Sequence, residues 1–142
     1  MKLATLFSLI LAVVMLTGQA LQAGPRNDQD LIWDAVNQVG TVALKGKYKE
    51  SPEHGLIDQT LEVEIQNAGS NRTLRVTVRG IKVGTMVTDA TGRGMLRLDL
   101  FGVTPGADGR PPAGKRVETG DTLRVFDVHG GVDISADFQP RP

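Results

Sequence analysis

Between Leu61 and Leu100 the chain alternates apolar and polar residues in successive runs, and each run ends in turn chemistry. A period of two puts neighbouring side chains on opposite faces of a strand, so such a segment builds sheet with one apolar face. Leu61, Val63 and Ile65 form one apolar set and Leu74, Val76 and Val78 the next, separated by the loop Ala68-Gly69-Ser70-Asn71. Setting Asn67 opposite Arg72 places Ile65 beside Leu74, Val63 beside Val76 and Leu61 beside Val78, with Glu64 opposite Arg75 on the other face. A slip by one residue would break all these pairings together. A second hairpin turns through Gly80-Ile81, as a type II′ turn requires, or through Arg79-Gly80; either choice keeps Val83, Thr85 and Val87 with Val78 on the apolar face. A third turns through Ala90-Thr91-Gly92-Arg93, opened by Asp89, and sets Val83, Thr85 and Val87 against Leu100, Leu98 and Leu96. Three hairpins sharing one core face predict an antiparallel meander.

The reverse face of the last two strands carries Gly84, Met86, Met95, Arg97, Asp99 and Phe101. Met86, Met95 and Phe101 are unusually apolar for a solvent side. Either the N-terminal segment or the first strand covers them, or they form a partner surface. They are the candidate interaction residues.

The flanks are less regular. Leu31, Ile32, Ala35, Val36 and Val39 recur at helical spacing before Gly40, which predicts a short N-terminal helix or arm over 24–40; Val36 to Val42 can equally begin a strand. Trp33 falls off that stripe, to pack on the domain body or meet a partner. From Thr41 the period is two, with Val42, Leu44 and Tyr48 alternating with Lys45, Lys47 and Lys49. The lysines suit a solvated or edge strand, or an anion-binding strip. Residues 51–58 read as a loop, and the Gly/Pro-rich 102–115 as a long one, functional or mobile. Thr122 to Val128 and Val132 to Phe138 form a closing hairpin around His129-Gly130-Gly131, with its register open. The tail 139–142 is expected to fray, because its prolines cannot donate to a ladder.

The N-terminus carries an address. Lys2 precedes an uncharged run whose most apolar part, Leu6 to Leu16, has the length of a signal-peptide core and is short for a bilayer span. Small residues then allow cleavage after Ala20 or Ala23, so residues 1–23 are read as a signal peptide and the protein as exported, periplasmic or extracellular. Leu16-Thr17-Gly18-Gln19 resembles a lipoprotein box with Gln19 in place of the obligatory Cys. The chain has no Cys, which excludes that lipid anchor, disulfides, thiolate metal ligands and Cys nucleophiles. The 119 residues left suffice for one domain with one core, spanning 41–138 beyond the arm. The removed segment contains Lys2 and no acid, so 15 basic and 16 acidic side chains remain and the net charge is −1. That is no footprint for nucleic acid or an anionic membrane, and six aromatic residues are few for a stacking platform.

Catalytic signals are sparse. The bases on offer to a triad are His54 and His129, and there is no G-x-S-x-G. Asp127 and His129, joined by His54, can in principle hold a divalent metal; both residues are also ordinary beside a glycine turn. The stretch from Asp89 fails the EF-hand pattern at Thr91, Arg93 and Leu100, and Gly80 and Gly84 match neither nucleotide fingerprint. Asn71-Arg72-Thr73 is a glycosylation sequon set in a tight turn.

The run VTVRGIKVGTMVTDATGRGMLRLDL, followed by GDTLRVFD and GVDISADF, resembles small secreted bacterial β-sandwich domains of unknown function. The similarity covers Leu61 to Phe138 and implies an exported, Ig-like domain without catalytic residues to carry over. The expectation is therefore an all-β antiparallel two-sheet sandwich of about seven strands, with no cofactor. Its expected role is that of an exported, non-catalytic module contacting an unknown protein or envelope component. The alternatives are a metal-binding or hydrolytic protein using the Asp127/His129 turn, and self-association through an open edge strand.

Overall fold

A computed structural model describes residues 29–142; the signal-like segment 1–23 lies outside them. Nine strands are formed: β1 (Leu31–Val39), β2 (Val42–Glu53), β3 (Leu56–Gln66), β4 (Thr73–Val78), β5 (Ile81–Val87), β6 (Gly94–Val103), β7 (Thr122–Asp127), β8 (Asp133–Asp137) and β9 (Gln139–Pro140). They make two antiparallel sheets, ordered β6-β3-β2-β1-β9 and β5-β4-β7-β8. The expected two-sheet sandwich is the fold, with nine strands in place of about seven. Leu44, Val63 and Ile65 meet Leu74, Val76, Leu123 and Val125 in one core closed by Phe138. Gly46 lies between the sheets with no room for a side chain: a β-carbon there would run into Leu123 Cδ2.

The strand partners differ from the meander. Two-residue turns do make hairpins: His54-Gly55 joins β2 to β3 and Arg79-Gly80 joins β4 to β5, all four residues at positive φ as a type I′ turn demands. The six-residue connections 67–72 and 88–93 instead cross between the sheets. Leu61, Val63 and Ile65 therefore belong to a different sheet from Leu74, Val76 and Val78, and β5 does not pair with β6. Glu64 lies opposite Lys45 and Met95 and pairs with Arg93, not Arg75. The two crossings zip together. Ala68 N–H donates to Gly92 O and Thr88 N–H to Arg72 O, while Thr88 Oγ1 accepts from Arg72 N–H and donates to Gly69 O. Asp89 does open its turn, its carboxylate accepting from the Thr91 and Arg93 amides.

Three further expectations are corrected. Residues 31–39 form a strand, paired along their whole length with β2, because only a period of two buries Trp33 together with Ala35. The tail is pinned: Gln139 and Pro140 pair with β1, Arg141 N–H donates to Ile32 O, and the Arg141 guanidinium grips Asp34 with two bonds of 2.7 Å. Proline is tolerated there because the strand is an edge. β2 is the central strand of its sheet rather than an edge.

Candidate functional site

The Asp127, His129 and His54 set does not come together. Asp127 sits at the β7–β8 turn, where Oδ1 accepts the His129 amide at 2.8 Å and Oδ2 pairs with Arg72 at 3.0 Å. The His129 amide, ahead of the Arg72 guanidinium, holds this carboxyl below the usual carboxylate range. His54 is at the β2–β3 turn beside Glu53, on the other sheet. Among the described residues no group of three His, Asp or Glu side chains is placed to hold a metal ion.

Lys45, Lys47 and Lys49 are solvated, as expected of them, but within a charge lattice. Across the outer face of the larger sheet one row reads Arg141, Asp34, Lys47, Glu62, Arg97, alternating in sign at every step. Opposite charges on neighbouring strands attract, so the basic residues of this row sit beside carboxylates rather than in a strip of one sign.

The three interaction candidates separate. The register slips between Val76 and Thr77, so Leu74 lies opposite Met86 and turns it inward, leaving it 3% exposed. Met95 and Phe101 are on β6, 63% and 70% exposed. β6 pairs with β3 on one side and has no strand on the other. The other sheet edges are shorter: β9 has two residues and a proline, β8 five residues with Asp at both ends, and β5 seven residues with a bulge, a feature β6 shares between Leu100 and Val103. β6, at ten residues, is the longest edge and carries Met95, Leu100 and Phe101 exposed.

β5 and β6 border the same side of the sandwich. At one end they close tightly, because a β-carbon on Gly84 would sit 2.8 Å from Leu96 Cδ2 and one on Gly94 2.9 Å from Met86 Sδ. At the other end they part around a groove of about 330 Å³ walled by Leu61, Val78, Ile81, Val83, Leu98 and Leu100. Residues 114–117 also line it, and buried Tyr48 and Gln59 form its inner wall.

Behind that wall lies a polar network that sequence reasoning missed. Glu50 is 0% exposed; its carboxylate receives Arg110 Nη2 at 2.8 Å, Arg110 Nε at 3.1 Å and the Tyr48 hydroxyl at 3.1 Å. Arg110 also reaches Glu118 and Val117 O and lies 4.4 Å above the Trp33 ring. Gln59 Nε2 donates to Tyr48 Oη and to Lys115 O. Arg116 ties Glu118 to Asp108. Burial, above all, pushes the Tyr48 hydroxyl well above its ordinary range, so it remains a proton donor at any physiological pH. The long Gly/Pro loop is thus riveted onto the inner face. The signal was in the sequence: Glu50 continues the phase of Leu44 and Tyr48, and a carboxylate in an apolar phase implies a buried cation.

No protein-family model matches the chain, and no curated protein matches it.

Proposed function

We propose that the protein is an exported, non-catalytic interaction module that takes an extended segment of a partner protein alongside β6. The observation that carries this reading is the length of β6, the longest of the four edges, and its display of Met95, Leu100 and Phe101 beside its own bulge. A strand added there would take up the free ladder groups of β6 and set its own side chains beside Met95 and Phe101. The groups eligible for chemistry support the same reading, since Asp127 is occupied by Arg72 and the turn amide, and His54 stands apart. Export rests on the signal-like segment 1–23 alone.

The test is affinity capture from the native envelope with the mature protein and with Phe101→Glu and Met95→Glu. A partner retained by the wild type and released by both folded variants is the expected result. Capture indifferent to both substitutions would refute the docking edge. A melting temperature raised by zinc in the wild type but not in His129→Ala would overturn the non-catalytic reading itself.

A further inference from the structure

β6 is complementary to itself. At alternate positions it carries Met95, Arg97, Asp99 and Phe101, in the order apolar, basic, acidic, apolar, with Leu96, Leu98 and Leu100 between them. Met95, Leu100 and Phe101 are exposed along an edge that has no neighbouring strand. In an antiparallel ladder the backbone groups of successive residues point alternately to one side and the other. Two copies of one strand therefore pair about a residue and never about the bond between two. The choice of that residue decides which side chains meet. Centred on Arg97 or on Asp99, the pairing sets a charge against its own kind. Centred on Leu96 it sets Met95 against Arg97, and on Leu100 it sets Phe101 against Asp99. Centred on Leu98 it sets Arg97 against Asp99, Met95 against Phe101, Leu96 against Leu100 and Leu98 against itself.

We propose that the strand taken up by β6 is β6 of a second copy of this chain, antiparallel and centred on Leu98, so that the two larger sheets join into one. This rests on the reading of β6 as the docking edge and names its partner. The central pairs fall between residues 96 and 100, where β6 keeps a regular register with β3; the bulge begins beyond Leu100 and touches only the outer pairs of Met95 with Phe101. Arg97 is already held, its Nε 2.9 Å from Asp99 Oδ2 and its Nη1 2.6 Å from Glu62 Oε1, so its charge is in place before the second copy arrives. Around the two-fold axis the Arg97 and Asp99 side chains of both copies then alternate in sign. The same contact covers Met95, Leu100 and Phe101, the large apolar residues that β6 leaves exposed. Each copy uses the same edge, so the association closes at two.

The mature protein is followed by sedimentation equilibrium from micromolar to millimolar concentration, and its mass is expected to double and stop. Arg97→Asp and Asp99→Arg each set like charges opposite one another at two places, and each should weaken self-association by about tenfold or more. Mixed one to one, the two variants are complementary at both places, so the mixture should recover the dimer as a heterodimer. Circular dichroism checks that both variants are folded. Should either fail to fold, oxidation of Leu98→Cys decides: that position meets itself across the axis and should cross-link, whereas Leu96→Cys, set against Leu100, should not. A wild type monomeric throughout, a mass that grows past two copies, variants that associate as the wild type does, a mixture no better than its components, or equal cross-linking at 96 and 98 would each overturn the self-pairing. Failure of the docking edge itself is read separately, from capture of a partner that is indifferent to Phe101→Glu and Met95→Glu.

Discussion

Replacing Arg110 with methionine tests the polar network where it matters most. The guanidinium supplies two bonds to a carboxylate with no solvent exposure, one to Glu118, one to Val117 O and a cation–π contact with Trp33. Methionine preserves much of the stem but takes the guanidinium away from the buried Glu50 carboxylate. Breaking a buried pair from one side costs about 3–5 kcal/mol, mostly the penalty of the stranded charge. A domain of this size holds in all about 5–15 kcal/mol, so the variant keeps between most and very little of its stability. Near its melting point each kcal/mol corresponds to about 4 °C, which puts the fall at about 12–20 °C. Thermal unfolding followed by circular dichroism measures it. The decisive control is Glu50→Gln added to Arg110→Met. Removing the charge should return more than half of the loss, because an amide in the same place needs hydrogen bonds but no counter-ion. A single variant within about 1 kcal/mol of wild type would refute the buried pair. A double variant no better than the single one would show that the loop contacts, rather than the carboxylate, carry the cost.

Three further outcomes follow from other parts of the fold. Thr88→Val strips the hydroxyl that joins Arg72 N–H to Gly69 O, and should cost about 1–3 kcal/mol in urea unfolding with an unchanged m-value. Gly84→Val drives a β-carbon to within 2.8 Å of Leu96 Cδ2, and should destabilise by about 1–3 kcal/mol while parting β5 from β6, seen as faster amide exchange on both strands. Several carboxyls are held below their ordinary range, Asp108 by Arg116, Asp133 by Arg124 and Asp127 by the His129 amide. Depressed folded-state values stabilise above the unfolded pKa of about 4 and lose that effect as pH falls through the lower folded values. The melting temperature should therefore hold between pH 7 and about 5 and decline below about 4. A decline beginning above pH 6 would show that these carboxyls do not set the acid limit.

The alternation in the sequence identified the buried faces well and their neighbours poorly, for a physical reason. A residue facing inward from a sandwich contacts the core whether its partner lies beside it or across from it. Leu61, Val63 and Ile65 share a core with Leu74, Val76 and Val78 in both arrangements, so hydrophobicity alone cannot separate the hairpin from the crossing. Connection length carries more information. Residues 54–55 and 79–80 are too short for anything but a hairpin, whereas 67–72 and 88–93 can span the sheet separation of about 10 Å. The five residues 128–132 stay within one sheet, so length permits a crossing without compelling it. What compels these two is their mutual hydrogen bonding through Thr88, a contact between segments sixteen or more residues apart that no local pattern encodes.

Met86 shows how one residue of register redirects a functional reading. An unbroken ladder from the Arg79-Gly80 turn would put Thr85 and Val87 inward and Met86 out, next to the exposed methionine and phenylalanine of β6. The slip between Val76 and Thr77 adds one residue to β5, and from Gly84 onward every side chain changes sides. The same slip puts Gly84 against Leu96, closing one end of the β5–β6 border, and leaves Val83 half-buried at the other, where the groove opens. A bulge is therefore the device that empties the outer patch of Met86 and shapes the groove above Gln59. Deleting Val83 should restore a continuous ladder, with Lys82 opposite Thr77, Gly84 still opposite Val76 and Met86 still turned inward. The shortened protein is expected to lose the packing of Val83 on the core and with it part of its stability, and one as stable as the wild type would show that the bulge contributes nothing there.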